Sequence, residues 1–412
     1  MVRRFLLLLA IVVWPGLARA QSDLLSPSSF SGLLDLRASY ADGERSWLNG
    51  GLGKTRVSGD DPRFDVGEAD LAWRPHFGFD WSAVVEAEIQ PDHDHTLRLG
   101  EAYLQYKPLI ADGWHASARA GLFYPPISLE NTGPFWTPSE TITPSAVNSW
   151  IGEEVKVVAV EATLRHDVGD QSVGVTAAAF GYNDTAGTLL AVRGWSLDDV
   201  RTNASGGFVL PPLNPVLAWQ QEPPFTTNPV EDADHRVGGY GRVDWSLMPN
   251  LALNAFYYDN RGDGETENAA DFYAWKTHFL DVGARYDIGD RTTLLSQILT
   301  GSTKEDYGTG WVWVNTHFAA GYLLVTRALG EDSVTGRADV FSTTNHAPAY
   351  YGLTQENGWA LTADYRKHLT AHVSGLVELL HVESNRPGRQ DVLGEDPEQK
   401  QTVLQAALRL SF

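Results

Sequence analysis

From Phe30 onward the chain alternates apolar and polar positions with a period of two, in short segments parted by clusters of Gly, Pro, Asn and Asp. A helical period is sustained nowhere. The last segment shows the pattern most plainly: Leu404, Ala406, Leu408, Leu410 and Phe412 fall on one face, Gln405, Arg409 and Ser411 on the other. Ala83, Val85, Ala87 and Ile89 against Glu86 and Glu88 repeat it, as do Trp359, Leu361, Ala363 and Tyr365 against Thr362, Asp364 and Arg366. Strands are expected near 30–40, 63–74, 79–89, 96–107, 114–124, 155–165, 172–182, 237–247, 250–259, 273–287, 291–302, 314–328, 333–343, 357–367, 370–382 and 401–412. That makes about sixteen, an even number as bacterial transmembrane barrels have.

Alternation alone suits a water-soluble β-sandwich equally well, because its apolar face would point to a core. Connection lengths separate the two. Arg74 to Phe79, Pro108 to Gly113, His166 to Gln171, Leu247 to Leu251, Ile288 to Arg291, Ala328 to Asp332 and Arg366 to Thr370 are tight, while Pro125 to Glu154, Asn183 to Arg236, Arg261 to Phe272, Thr344 to Gly358 and Glu383 to Lys400 are long. Short periplasmic turns alternating with long external loops belong to an all-β transmembrane antiparallel barrel, with both termini on the periplasmic side. Tyr40, Trp73, Tyr106, Trp114, Tyr124, Trp245, Tyr257, Phe279, Trp311, Trp359 and Phe412 stand at strand ends, where aromatic rings suit the lipid–water boundary.

The start of the chain sets the compartment. Arg3 and Arg4 precede an apolar run from Phe5 to Trp14, and Ala18-Arg19-Ala20 has the small-x-small form of a signal-peptidase site. Residues 1–20 therefore read as a signal peptide cleaved between Ala20 and Gln21, and 21–412 as one barrel domain in the bacterial outer membrane. Downstream of Gln21 no apolar run reaches the roughly 20 residues of a membrane helix, so any insertion must use strands closed into a ring. The absence of Cys suits an oxidising periplasm, and 14 Trp with 15 Tyr suit interfacial girdles. Losing Arg3, Arg4 and Arg19 with the leader takes the formal charge from −21 to −24, which argues against nucleic-acid binding. Acidic external loops are compatible with divalent-cation bridging to lipopolysaccharide, and equally with plain solvation.

After the fifth strand the chain reads Gly121-Leu122-Phe123-Tyr124-Pro125-Pro126-Ile127-Ser128-Leu129-Glu130, followed by a Thr/Ser/Pro-rich stretch to Glu154. This resembles the passage leading into the constriction loop of the phosphate-selective porin O/P family. The resemblance implies a sixteen-stranded homotrimeric porin whose third external loop, here residues 125–154, folds into the lumen. The terminal aromatic Phe412 is similar to the recognition signal of barrel-assembly substrates, which makes the barrel-assembly machinery an expected partner. The family's phosphate selectivity uses basic residues, yet 125–154 holds none and carries Glu130, Glu140, Glu153 and Glu154. Pro125, Pro126, Pro134, Pro138 and Pro144 stiffen the same stretch, which suits a loop held in position.

Alternation assigns Arg119, Arg242, Arg285, Arg337, Arg366 and Arg409 to the lumen, along with Glu86, Glu88, Glu101, Asp244, Asp281, Asp339, Asp364 and Glu378. A basic wall facing Glu130 and Glu140 would set a transverse field across a constriction, although many of these charges have partners close enough to be simply paired. The expected function is a passive, water-filled channel for small hydrophilic solutes or ions. An anion- or phosphate-selective channel is the alternative; an outer-membrane enzyme or adhesin is a further one. Neither a cofactor nor a metal is expected: Asp92-His93-Asp94-His95 and Asp259 to Glu265 are oxygen-rich but lack the order of a calcium loop. His278 and Ser296 lie on adjacent strands, but a turn near Ile288-Gly289 sets Ser296 opposite Asp281, ~10 Å from His278 and beyond hydrogen-bond reach.

Overall fold

A computed structural model describes residues 24–59, 62–90, 97–210, 226–268, 272–307, 311–347 and 355–412. The leader and the Asp92–His95 run lie outside these residues. Sixteen strands follow one another around a closed antiparallel ring: β1 (Phe30–Ala41), β2 (Arg63–Trp73), β3 (Trp81–Ile89), β4 (Arg98–Tyr106), β5 (Trp114–Phe123), β6 (Val157–Val168), β7 (Gln171–Gly181), β8 (Gly238–Met248), β9 (Leu251–Asp259), β10 (Lys276–Ile288), β11 (Thr292–Tyr307), β12 (Trp311–Leu329), β13 (Asp332–Asn345), β14 (Glu356–Thr370), β15 (Val373–Asn385) and β16 (Glu398–Ser411). The two-residue piece His76–Phe77 continues the line of β2 against β3. These bounds agree with the alternation pattern at nearly every strand.

The ring closes where β16 pairs with β1, from Leu33 opposite Ser411 to Ala41 opposite Val403. Gly32 and Phe412 exchange backbone hydrogen bonds of 3.1 and 3.2 Å, and the Phe412 ring fills the space a Cβ at position 32 would need, so a larger residue there would displace the ring. Tight turns after β6, β10 and β12 use Gly169, Gly289 and Gly330 at φ of +60°, +58° and +75°, a region costly for residues with a Cβ. One turn differs from expectation. β14 continues to Thr370, so the turn falls at residues 371–372 rather than Arg366 to Thr370. Asp332 of the neighbouring hairpin accounts for this: it accepts from Lys367 Nζ (2.8 Å), the Tyr365 hydroxyl (3.0 Å) and the His368 N–H (3.0 Å), holding those residues in the ladder.

Outward-pointing positions form an apolar belt that includes exposed Leu36, Val160, Val175, Ile298, Leu323, Val340, Leu361 and Leu404. Such a surface costs free energy in water and is at home in hydrocarbon, so the strands span a membrane. Tyr40, Trp114, Trp245, Tyr257, Trp359 and Phe412 are exposed, as interfacial aromatics should be. Tyr124 and Phe279 are not: they are 3% and 1% exposed and point into the barrel. The expectation misplaced them because the upper lumen is itself apolar, so hydrophobicity does not distinguish the two faces of those strands.

Candidate functional site in the barrel lumen

The chain turns inward after β5, where Pro125 and Pro126 end the strand. Three features hold it inside. Arg242 of β8 donates to the Pro126 carbonyl, and Gln297 of β11 bonds both the Ile127 carbonyl (3.1 Å) and the Leu129 N–H (2.9 Å). Glu378 of β15 accepts from the N–H groups of Ile142 and Thr143 at 2.7 and 3.0 Å. Helix α1 (Ala146–Glu154) then begins with Ser145 capping the Asn148 N–H at 3.2 Å, and every residue of it is buried. The loop thus meets β8, β11, β13, β15 and β16 and lies across the lumen.

A second segment joins it. Residues 183–203, which follow β7 and contain helix α2 (Thr188–Val192), are almost continuously buried. Arg193 makes a two-pronged ion pair with Glu153 of α1 (2.6 and 2.7 Å), and Trp195 takes the Glu356 carboxylate of β14 at its N–H (3.0 Å). Arg386 donates to the carbonyls of Val192 and Arg193, and Lys54 pairs with Glu356. At the opposite wall Arg201 reaches Glu68 and Asp70 of β2. Trp150 of α1 lies at the centre, with ring centroids 5.2 Å from Phe279, 5.0 Å from Phe318 and 6.1 Å from Trp195. Burying such a ring removes ~150–250 Å² from water, worth about 4–6 kcal/mol at ~25 cal/mol per Å². Buried ion pairs nearly break even against desolvation. Packing therefore holds the two segments, and the ion pairs set their register.

The carboxylates of 125–154 divide sharply. Glu130 is 3% exposed and spends its oxygens on the Ser145 N–H (2.7 Å), Asn148 Nδ2 (2.8 Å) and Arg337 (3.4 Å). Glu153 is taken up by Arg193 and Ser196, and Glu154 by Trp150 Nε1 (2.6 Å) and the N–H groups of Gly187 and Leu189. Glu154 sits outside the strands, and burial pushes its carboxyl up to about 7 against the pull of these donors. Glu140 differs, remaining partly open with Ser333 Oγ at 3.3 Å. Burial lifts its carboxyl above the ordinary range, while Arg366 and, more weakly, Arg285 oppose this.

The six arginines that alternation assigns to the lumen each hold a partner. Arg119 forks onto Glu161 (2.7 and 3.1 Å) and lies over the Phe123 ring; Arg242 pairs with Asp244 (2.6 Å) and Arg285 with Asp287 (3.1 Å). Arg337 is sealed beneath the loop, bound to Asp339 (2.8 Å) and to the carbonyls of Thr143 and Pro144. Arg366 donates to the Ser139 carbonyl (2.5 Å), and Arg409 to Asp35 (2.8 Å) and the carbonyls of Pro138 and Thr141. Arg337 and Glu130 thus share one buried cluster, while Glu140 and Arg366, which holds the neighbouring Ser139 carbonyl, stay only partly buried.

The remaining candidates fall elsewhere. The turn after β10 sets Ser296 opposite Ala284, not Asp281, so it lies farther from His278, whose ring is 3.3 Å from Ser302 Oγ. In the Asp259–Glu265 run, Asp259 caps the Arg261 N–H (2.8 Å), Asn260 spans the Gly262 N–H and the Trp275 carbonyl, and Asp263 pairs with Arg236 (2.5 Å). That chemistry orders a loop. The sequence reading takes 183–203 as part of a long external loop, whereas the structure buries it. The signal available was apolar density in a supposedly external loop: Leu189, Leu190, Val192, Trp195 and Leu197.

No protein-family model matches the sequence, and no curated protein does. Solved structures do. The outer membrane channel DcaP of Acinetobacter baumannii superposes with a TM-score of 0.56 at 12% identity, covering 93% of this chain and 96% of that one. OmpTdeltaL8, a loop-deletion mutant of an outer membrane protein of Vibrio cholerae, gives 0.53 at 10% identity over 93% and 98%. An anion-selective porin from Comamonas acidovorans gives 0.52 at 13% over the same shares. At these identities the likeness establishes the fold, that of bacterial outer-membrane porin barrels.

Proposed function

We propose that this chain is a passive channel of the bacterial outer membrane, admitting small hydrophilic solutes or ions through a lumen narrowed by the 125–154 loop. One observation carries the reading: an apolar outer belt surrounds a lower lumen that is polar and reached by water, lined by Thr163, Arg165, Arg242, Asp244, Arg285 and Thr293. Arg366 on the wall donates to the Ser139 carbonyl beside Glu140 on the loop, so a solute passing there crosses a transverse field that orients dipoles and sorts ions by sign. The selectivity we infer is weak or cation-leaning. Five of the six wall arginines, Arg366 apart, hold acidic partners, and the loop brings no basic residue. The finer resemblance to phosphate-selective porins rests on the Gly121–Glu130 passage alone.

The same reading includes a leader cleaved at Ala20, delivery by the barrel-assembly machinery through Phe412, contact with lipopolysaccharide, and a homotrimer. Light scattering in mild detergent that returned a monomer would remove the trimer. Purified protein in liposomes should admit ions and small sugars without an energy source, and planar bilayers should show discrete conductance steps. Liposomes tight to both would overturn the channel reading.

A further inference from the structure

Arg201 belongs to the inward segment, yet its guanidinium is lodged in the barrel wall. Its Nη2 lies 2.7 Å from Glu68 Oε2 and 3.1 Å from Asp70 Oδ2, and its Nε is 3.9 Å from Glu88 Oε1. Glu68 and Asp70 share the lumen face of β2, and Asp70 stands directly opposite Glu88 on β3, so the sheet register itself builds the cage. These residues are 2%, 7% and 3% exposed.

The guanidinium does not satisfy the cage. Among the described residues, Glu68 Oε1, Asp70 Oδ1 and Glu88 Oε2 have no hydrogen-bond partner. Nor has Nε2 of Gln90, which is 4% exposed and whose Oε1 takes the Arg201 N–H at 3.1 Å. A buried acceptor left unmet costs free energy, so a site built only to anchor one arginine would not carry three of them. Gly100 on β4 adds to this: a Cβ there would collide with the Glu88 carboxylate, so its absence keeps the cage open.

We propose that Glu68, Asp70 and Glu88 form a binding site for a small organic cation bearing a guanidinium or primary ammonium group, and that Arg201 occupies it as a tethered surrogate. The proposal rests on the channel reading and names a solute class for it. A planar guanidinium with five donors suits several converging carboxylates, and a free solute can shift to engage the oxygens that Arg201, held by its backbone, leaves unmet. Entry of the solute displaces Arg201 and frees one end of the inward segment, so occupancy and opening are coupled.

The test uses the full-length protein in detergent and agmatine, which carries a guanidinium and an ammonium, with glutamate as the control anion. Arg201→Met keeps the length and packing of the stem. Calorimetry should show agmatine binding Arg201→Met more tightly than wild type by about tenfold or more, the scale of one charge-assisted contact, with no heat from glutamate. Adding Glu68→Gln, Asp70→Asn and Glu88→Gln should abolish the binding. Arg201→Lys, which retains a cation, gives an intermediate affinity and serves if the Met variant does not fold. Equal agmatine affinity in wild type and the folded Arg201 variant, or binding indifferent to the three neutralisations, overturns the proposal. Calorimetry needs no conduction, so binding in a protein that forms no conducting pore would sink the channel reading and leave the site standing.

Discussion

The segments after β5 and after β7 both fold into the lumen, but they are built on opposite principles. The first, 125–154, contains no basic residue and attaches by offering backbone and carboxylates to the wall: Glu378, Asp339, Gln297 and the Arg337 guanidinium meet it from three strands. The second, 183–203, also offers backbone, its Trp195 N–H to Glu356 of β14 and its Val192 carbonyl to Arg386, but adds cations of its own, Arg193 to the first segment and Arg201 to β2. The first meets the wall with acids and backbone only; the second also plugs a cation of its own, Arg201, into wall carboxylates, a contact that a competing cation can replace. A narrow lumen can therefore have a fixed part and a releasable part.

The comparison breaks most directly by removing the releasable part. Excising residues 186–202 behind a short glycine linker should raise single-channel conductance several-fold while the barrel stays folded. Unchanged conductance would show that the segment does not obstruct the path. Next in size is the fixed part. Arg337→Ala leaves Asp339 and Glu130 buried without their cation, which should lower stability by about 3–5 kcal/mol, read from the urea midpoint of the folded barrel. A loss below about 1 kcal/mol would mean the loop is held without this cluster.

The glutamates give a smaller, sharper contrast. Glu140→Gln should move the reversal potential under a salt gradient toward anions, and more so at low salt, where the Debye length reaches ~30 Å. Glu130→Gln should leave it unmoved, because that carboxylate is spent on Ser145, Asn148 and Arg337. The reverse outcome would place the field elsewhere. Smallest is a pH effect. Burial raises the Glu154 carboxyl to about 7 from an ordinary 4.5, so between these values it is neutral only while packed. The stability of the α1–α2 contact is full below about pH 4.5, falls as pH rises, and is lost above about 7. Conductance should accordingly be higher at pH 8 than at pH 5, and Glu154→Gln should flatten the difference.

Sequence alone makes the barrel legible because two signals agree: side-chain alternation names the strands, and connection length names the membrane sides. Leu404 out and Gln405 in follow from period two without any knowledge of neighbours. What alternation cannot supply is the partner. Arg337 and Arg285 look identical in it, one strand position each, yet one is sealed under a loop and the other reaches water. Tyr124 and Phe279 fail for a related reason, since the pattern assumes water inside and lipid outside, and here the upper lumen is packed like a core. The 183–203 segment lay beyond it altogether, because its burial depends on contacts with strands more than a hundred residues away in the chain, Asp70 and Glu356 among them.

The seam between β1 and β16 carries a consequence for how the molecule comes into being. Leu33 and Ser411 are neighbours in the finished ring but almost a full chain length apart along the backbone, so none of the intermediate hairpins can close it. Until that late encounter the growing sheet has two raw borders, each a row of unmet amide groups able to zip onto any other strand it meets. The ring is thus an all-or-nothing object in time as well as in shape, and whatever escorts the polypeptide before insertion has to shield naked strand borders rather than a half-formed core.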